Sequence, residues 1–344
     1  MIQISPETQQ FIREHLSDNV RTLALQAKKY PNVDMPAAIT QIAGRQVAAE
    51  KIPSWREIEE IWYPKHLSLE QCSSEITARY KARLFQGDSL IDLTGGFGID
   101  CSFLATGFKT ATYVERQEEL CEIAAHNFPI LNLNHINVRN EDGVAYLQSM
   151  SPVDCIFLDP ARRNEHGGKT VAISDCEPNV AELEALLLSK ANRVMIKLSP
   201  MLDLSLALKE LKHTQEIHIL SVNNECKELL ILLGQTSPAE IAIHCVNLLT
   251  KGTQEEQHLV FTREQEQRSQ CTYTDSLGNY LYEPNASLLK AGAFRSIAAA
   301  YPVRKLHPNS HLYTSDSFIE NFPGRIFRIV NQCSFNKKEV KENL

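Results

Sequence analysis

The 344-residue sequence contains no apolar run of about 18 residues, which excludes a membrane-spanning helix. Its opening, Met1-Ile2-Gln3-Ile4-Ser5-Pro6-Glu7, has neither a basic nor an apolar leader segment, so secretion is not expected. No C-x-x-C pair occurs. The nine cysteines, Cys72, Cys101, Cys121, Cys155, Cys176, Cys226, Cys245, Cys271 and Cys333, are odd in number and scattered. That pattern argues against a disulfide framework or a zinc site and suits reduced thiols in a cytoplasm. The histidines, His126, His135, His166 and His213 among them, show no metal-ligand spacing, so no metal is expected. An excess of positive charge is missing too. The 35 Lys and Arg against 42 Asp and Glu leave a net −7, which lowers the expectation of a nucleic-acid ligand, although a local basic face can suffice. There is no internal repeat and no low-complexity segment.

What is present is ordinary for a globular chain: 43% hydrophobic and 22% charged residues, over a length that suits two or three domains. Residues 1–85 are expected to be mostly helical. Gln9, Phe11, Ile12 and Leu16 follow helical spacing, Met35-Pro36 opens a second helix, and Ser68 is placed as the N-cap of a third. Trp55, Trp62 and Tyr63 fall between these helices and are read as packing aromatics rather than a base-stacking platform. From residue 89 short apolar strands alternate with helices: strands at 89–93, 110–115, 135–138, 153–158 and 193–198, helices at 117–128, 144–149, 178–190 and 204–211. Such alternation predicts a parallel sheet covered on both faces. Two further strands, 216–222 and 228–233, are joined by the short link Asn223-Asn224-Glu225-Cys226-Lys227, which predicts a closing antiparallel hairpin. Strands at 241–249, 257–261 and 327–330 and a helix at 286–299 make a small α+β region. The boundaries are placed at 1–85, 86–235 and 236–335. The charged tail 336–344 is either a frayed end or a shortened connection.

The segment Leu90-Ile91-Asp92-Leu93-Thr94-Gly95-Gly96-Phe97-Gly98-Ile99-Asp100 reads as strand, glycine turn, helix, the arrangement that lays a ligand across a sheet edge. Gly96 and Gly98 let the backbone approach that ligand. Asp92 can accept from a cationic amino group and would repel a pyrophosphate; a turn without any ligand is the plain alternative. Glu115 closes the second strand, where an acid can accept both hydroxyls of a ribose; this supports a nucleoside, not a particular cofactor. Asp142 is either an acceptor for an adenine amine or a helix N-cap, and the roles are compatible. Asp159-Pro160 leaves the most apolar strand, so Asp159 is delivered from a rigid element to the open sheet edge, with Pro160 fixing φ. Alone the pair is a turn. Arg162, Arg163 and Lys169 form a basic cluster that either holds phosphate or is a solvated loop. Lys197, at the end of the fifth strand, can meet a phosphate, pair with Asp159 or serve as an ordinary strand-end charge. No cysteine accompanies Asp159 or Lys197 as a nucleophile; Cys155 is mid-strand.

This motif series resembles that of class I S-adenosylmethionine-dependent methyltransferases. The run Asp92 to Asp100, with its Thr94-Gly95-Gly96 turn, is similar to a subset of RNA guanine-N2 methyltransferases; Thr94 stands where many members carry a glycine. Together with Asp159-Pro160-Ala161-Arg162-Arg163, Lys197-Leu198-Ser199-Pro200, Lys227-Glu228-Leu229-Leu230, the stretch Tyr301 to Ser310 and Asn321-Phe322-Pro323-Gly324-Arg325, it closely resembles a bacterial methyltransferase family with a ferredoxin-like segment and a THUMP-like C-terminal domain. The resemblance spans about residues 20–335, and the THUMP-like part would lie mostly past Leu344. It implies a doubly wound α/β sheet of order 3-2-1-4-5-7-6, S-adenosyl-L-methionine as cofactor, and structured RNA (a tRNA or rRNA) as partner. It also implies site roles. Asp92, Thr94, Gly96, Gly98, Glu115 and Asp142 would hold the cofactor, Asp159, Pro160 and Arg162 would form the catalytic set, and Arg162, Arg163 and Lys197 would bind substrate. Asp-Pro at this place is where methyltransferases acting on nucleobases hold their target, an exocyclic amine donating to the carboxylate or a carbonyl. Two rival readings stand beside it. A NAD-dependent oxidoreductase would use the glycine turn and Glu115. A catalytically inactive nucleic-acid-binding protein of the same fold would account for Thr94 and for Pro-Ala in place of Pro-Pro.

Overall fold

The computed structural model describes residues 4–162, 172–252 and 255–333; the side chains of His66 and Arg162 lie outside this description. The chain forms two compact units, residues 1–163 with 176–196, and residues 164–175 with 197–344. Among the described residues no helix is long and apolar enough to cross a membrane.

The first unit begins with helices whose starts are written in the sequence. Ser5 caps Pro6–Glu14 by accepting from the Thr8 amide at 3.2 Å, and Asp34 caps Met35–Lys51 by accepting from Ala37 at 3.1 Å. Both helices carry proline in the first turn, where no amide partner is lost. Phe11, Ile12, Leu23, Met35, Ala38 and Ile42 bury one face of this region. Trp55 and Tyr63 are buried in a second cluster with Phe97 and Ile99, and Trp62 stacks on His126 at 3.6 Å, so these aromatics pack as expected. The Ser68 cap is not found. Ser68 lies inside the helix His66–Gln71, which starts after Lys65 without a side-chain cap.

Five strands follow: β1 Gly87–Asp92, β2 Phe108–Glu115, β3 Ile136–Asn140, β4 Val153–Leu158 and β5 Ala191–Leu198. They pair in the order β3-β2-β1-β4-β5, all parallel. Leu90, Tyr113, Val114, Ile156, Phe157, Val194 and Ile196 are at most 1% exposed, so this sheet is dry on both faces and its C-terminal ends share one edge. Helices Ile99–Leu104, Glu118–Ile130, Gly143–Ser149 and Val180–Lys190 make the connections.

In the second unit β6 Thr214–Val222 and β7 Glu225–Gly234 form the expected antiparallel hairpin. Its turn is tighter than the anticipated five-residue link: Asn223 and Asn224 both take positive φ, 48° and 68°, which suits a two-residue turn between longer strands. β8 Ala242–Leu248 runs parallel to β6, and β9 Glu256–Phe261 antiparallel to β8. A separate antiparallel sheet comprises β10 Tyr280–Pro284, β11 Tyr313–Ser315, β12 Gly324–Arg328 and the short Arg304–Lys305. The single helix expected over 286–299 is two, Ala286–Ala291 and Phe294–Ala300; Gly292 at φ 75° ends the first. The last strand lies earlier than expected, and Val330 is 91% exposed. The architecture is the expected α/β class: a doubly wound parallel sheet, a helical N-terminal region and a small α+β C-terminal part.

Candidate active site

Between Asp92 and the helix Ile99–Leu104 the chain makes a turn closed by the Gly98 amide on the Gly95 carbonyl (2.9 Å) and tied to β2 by the Gly95 amide on Val114 (2.9 Å). A Cβ on Gly95 would stand 2.2 Å from the Tyr113 ring, whose hydroxyl donates to the Gly96 carbonyl at 2.5 Å. Gly96 differs. It takes φ +53°, and a Cβ there would find its nearest neighbour, the Thr94 carbonyl, at 3.8 Å. The Gly96 backbone therefore faces open space that a ligand can enter.

Asp92 is 1% exposed. Its Oδ1 accepts from the Thr94 amide at 3.0 Å, while Oδ2 is buried without a hydrogen-bond partner. Burial, and then the fields of Asp100, Asp159 and Glu115, push this carboxyl up to about 8, against the bond from Thr94. A buried carboxyl with an idle oxygen beside three other acids is arranged to receive a cation. Asp100 is held by Lys81, which is fully buried, at 2.8 Å and by the Ser73 hydroxyl at 2.7 Å.

Glu115 ends β2 and braces the glycine turn. Its Oε2 accepts from the Gly96 amide at 2.9 Å and its Oε1 from Gln117 at 2.8 Å, and each oxygen keeps a further lone pair. The Glu115 carbonyl accepts from Asn140 Nδ2 at 3.0 Å and from the Glu141 amide at 3.2 Å, which draws the end of β3 to the same place. Asp142 is exposed and caps Gly143–Ser149, one oxygen taking the amides of Val144 and Ala145 at 3.0 Å each. Of its two readings, the cap is visible.

Asp159, half-buried, follows β4, and its amide donates to Thr94 Oγ1 at 2.6 Å. Pro160 is buried behind it, and Ala161–Arg162 pairs with Cys176–Glu177 as a short antiparallel ribbon. Asp92, Thr94, Gly96, Glu115 and Asp159 are thus brought together, with Gly98 at the helix start and Asp142 adjoining. Lys197 is buried on β5. Arg163 and Lys169 lie outside the described residues. Cys155 is no nucleophile, because burial pushes its thiol up to about 11. Sequence reasoning missed Tyr113, although it stands two residues before Glu115 and so on the same strand face. It also missed the Lys81–Asp100 pair, which has no sequence signal.

A parallel sheet edge carrying an acidic glycine turn with open space at Gly96 suits a nucleoside cofactor, and comparison with known proteins agrees. Residues 56–164 match the model of the protein-L-isoaspartate(D-aspartate) O-methyltransferase family, and residues 280–323 match a ferredoxin-like domain. A Porphyromonas gingivalis W83 protein assigned as a methyltransferase is 35% identical, with a TM-score of 0.85 over 100% of this chain and 86% of its own. An rRNA methylase from Streptococcus thermophilus (14% identity, 46% of this chain and 94% of its own, TM-score 0.34) and M. capricolum TrmK, solved with S-adenosyl-homocysteine (12%, 47% and 68%, 0.36), are far fainter likenesses and add no argument. No curated protein matches the chain. The chain belongs to the class I S-adenosylmethionine-dependent methyltransferases, whose cofactor is S-adenosyl-L-methionine, and its C-terminal part holds a ferredoxin-like domain. The residues present fit that cofactor: the idle Asp92 oxygen suits an ammonium group, and the space at Gly96 suits a close backbone contact.

Proposed function

We propose that this protein methylates a base nitrogen of RNA, a tRNA or an rRNA. The observation that carries the reading is the group of four acids, Asp92, Asp100, Glu115 and Asp159, with Asp159 held to Thr94 at the cofactor turn. Bound there, the cofactor supplies an electrophilic methyl group on a sulfonium. Asp92 would take its ammonium group, Gly96 would admit its backbone-facing side, Glu115 would hold the ribose and Asp142 the adenine amine. Thr94 fixes the Asp159 backbone, and Pro160 stiffens the loop. Asp159 would accept a hydrogen bond from the target amine and orient its lone pair toward the cofactor side, and the proton that the nitrogen loses on methylation would leave along that hydrogen bond. Transfer in line needs this positioning more than strong acid–base chemistry. Arg162 and Arg163 would meet substrate phosphates. The division 1–85, 86–235 and 236–335 assigns these residues to the middle domain, and the free thiols suit a cytoplasmic location.

Charge favours an amine as target. A carboxylate substrate, as the isoaspartate family's name describes, would face the Asp159 carboxyl and the acids behind it, and a dinucleotide pyrophosphate would meet the same repulsion. The test is incubation of the full chain with methyl-labelled cofactor and RNA from a strain deleted for it, followed by nucleoside mass spectrometry. One labelled base is expected. Tight binding of S-adenosylhomocysteine with no label in any RNA would overturn the RNA reading while leaving the cofactor in place.

A further inference from the structure

Three strands of the second unit bring together residues that are scattered in the chain. On β6, Glu216 and His218 are two residues apart and so share a face. β8 runs parallel to β6 with His244 opposite His218 in the register. β9 pairs His258 with Val246, two residues from His244, so His258 falls on that face as well. The His218 and His244 rings stack with centroids 4.3 Å apart and planes at 14°. One ligand atom each from Glu216, His218 and His244 lies within 4.8 Å of the others.

One donor pair is already at coordination spacing, and the third donor lies within 4.8 Å of both. Zinc bonds of about 2.0–2.1 Å in a tetrahedron set ligand atoms about 3.3 Å apart. His218 Nε2 lies 3.3 Å from Glu216 Oε2, and His244 Nδ1 lies 3.2 Å from His258 Nε2. Two imidazoles and a carboxylate form a donor set that first-row divalent ions take well. The donors stand on paired strands, not loops, so little order is lost on binding.

We propose that Glu216, His218 and His244 bind one zinc ion, with water completing the sphere and His258 bordering it, and that the ion clasps β6 to β8. The site is independent of methyl transfer. The test uses the full, tag-free chain, stripped with a chelator and titrated with zinc chloride by calorimetry, beside the variants H244Q and E216Q. Both altered side chains are half-buried and neither is in the apolar core, and equal melting temperatures in chelator confirm folding. The expected result is one zinc per chain, a melting temperature raised by zinc, and a Kd weakened about 10-fold or more in each variant. The nine cysteines are the competing ligands. Cobalt substitution reads them directly, since a thiolate-to-cobalt charge-transfer band would place the ion on cysteine. That band overturns the proposal, as do the absence of saturable zinc binding and an unchanged Kd in both variants.

Discussion

The Asp159 amide donates to the Thr94 hydroxyl at 2.6 Å, and so a residue that breaks the glycine pattern of the first turn holds the backbone of the fourth. The two residues are 65 positions apart. Thr94 also donates its own amide to Asp92, so it links the residue proposed to hold the cofactor's ammonium with the one proposed to hold the target. A glycine at this position could not form the clasp.

Thr94→Val keeps the shape and removes the acceptor. An amide left unpaired there costs about 1–3 kcal/mol. A misplaced Asp159 of similar energy lowers turnover about 10-fold or more, since about 1.4 kcal/mol is a factor of ten. Thr94→Ser keeps the oxygen and is expected to retain activity. Parallel measurement of kcat and of the melting temperature checks both. Full activity in Thr94→Val would show that the clasp does not serve the reaction.

Asp92 makes the cofactor-free protein sensitive to pH, with a definite sign. An unfolded aspartate titrates near about 3.9, whereas the folded carboxyl is pushed up to about 8. Between these values the folded state binds the extra proton, so stability falls as pH rises from about 4 to about 8. A ligand ammonium needs the charged carboxylate. Binding of S-adenosylhomocysteine at pH 6.5–7, roughly one unit or more below that value, is expected to release a proton. Calorimetry in buffers of different ionisation enthalpy measures it, and Asp92→Asn is expected to abolish the release and weaken binding. Proton release undiminished in Asp92→Asn would assign it to another group.

Adjacent glycines are predicted to fail in different ways. Gly95→Ala drives a methyl into the Tyr113 ring, 2.2 Å away, and overpacking of this kind costs about 1–3 kcal/mol, so its melting temperature falls. Gly96→Ala meets no atom closer than 3.8 Å and bears only its positive φ, a strain of about 1 kcal/mol. Its methyl group instead stands in the ligand's space, so cofactor affinity falls further than stability. Melting curves with and without S-adenosylhomocysteine separate the two. A Gly96→Ala protein that binds as tightly as the parent would remove that space from the site.

These contrasts show where the sequence is readable. The glycine turn, Glu115 and the Asp159-Pro160 loop are local: each is a strand end followed by residues that fix the backbone, and the strands themselves show as apolar runs. The β6–β7 hairpin is legible for the same reason, although Asn223-Asn224 shows only in the structure how short its turn is. Sequence spacing says nothing about partners set by register. Thr94 with the Asp159 backbone, Lys81 with Asp100, and His218 with His244 are contacts made through the fold, from 19 to 65 residues apart. The helix break at Gly292 was hidden because apolar residues continue on both sides of it.

Asp159 separates positioning from binding most directly. Its backbone is held by Thr94, so Asp159→Ala leaves that bond and removes only the carboxyl. In the proposed site the cofactor's ammonium, ribose and adenine groups go to Asp92, Glu115 and Asp142, so the Kd for S-adenosylhomocysteine is expected to change by less than about threefold, well under the 1.4 kcal/mol of a tenfold change. Turnover on the true substrate falls by a factor of about 100 or more, the size usual for a lost catalytic hydrogen-bonding group. Asp159→Asn keeps an acceptor oxygen without the charge and is expected to fall between the two. A single-turnover rate beside the equilibrium Kd resolves the terms, and equal rates for Asp159→Ala and the parent would take Asp159 out of the reaction.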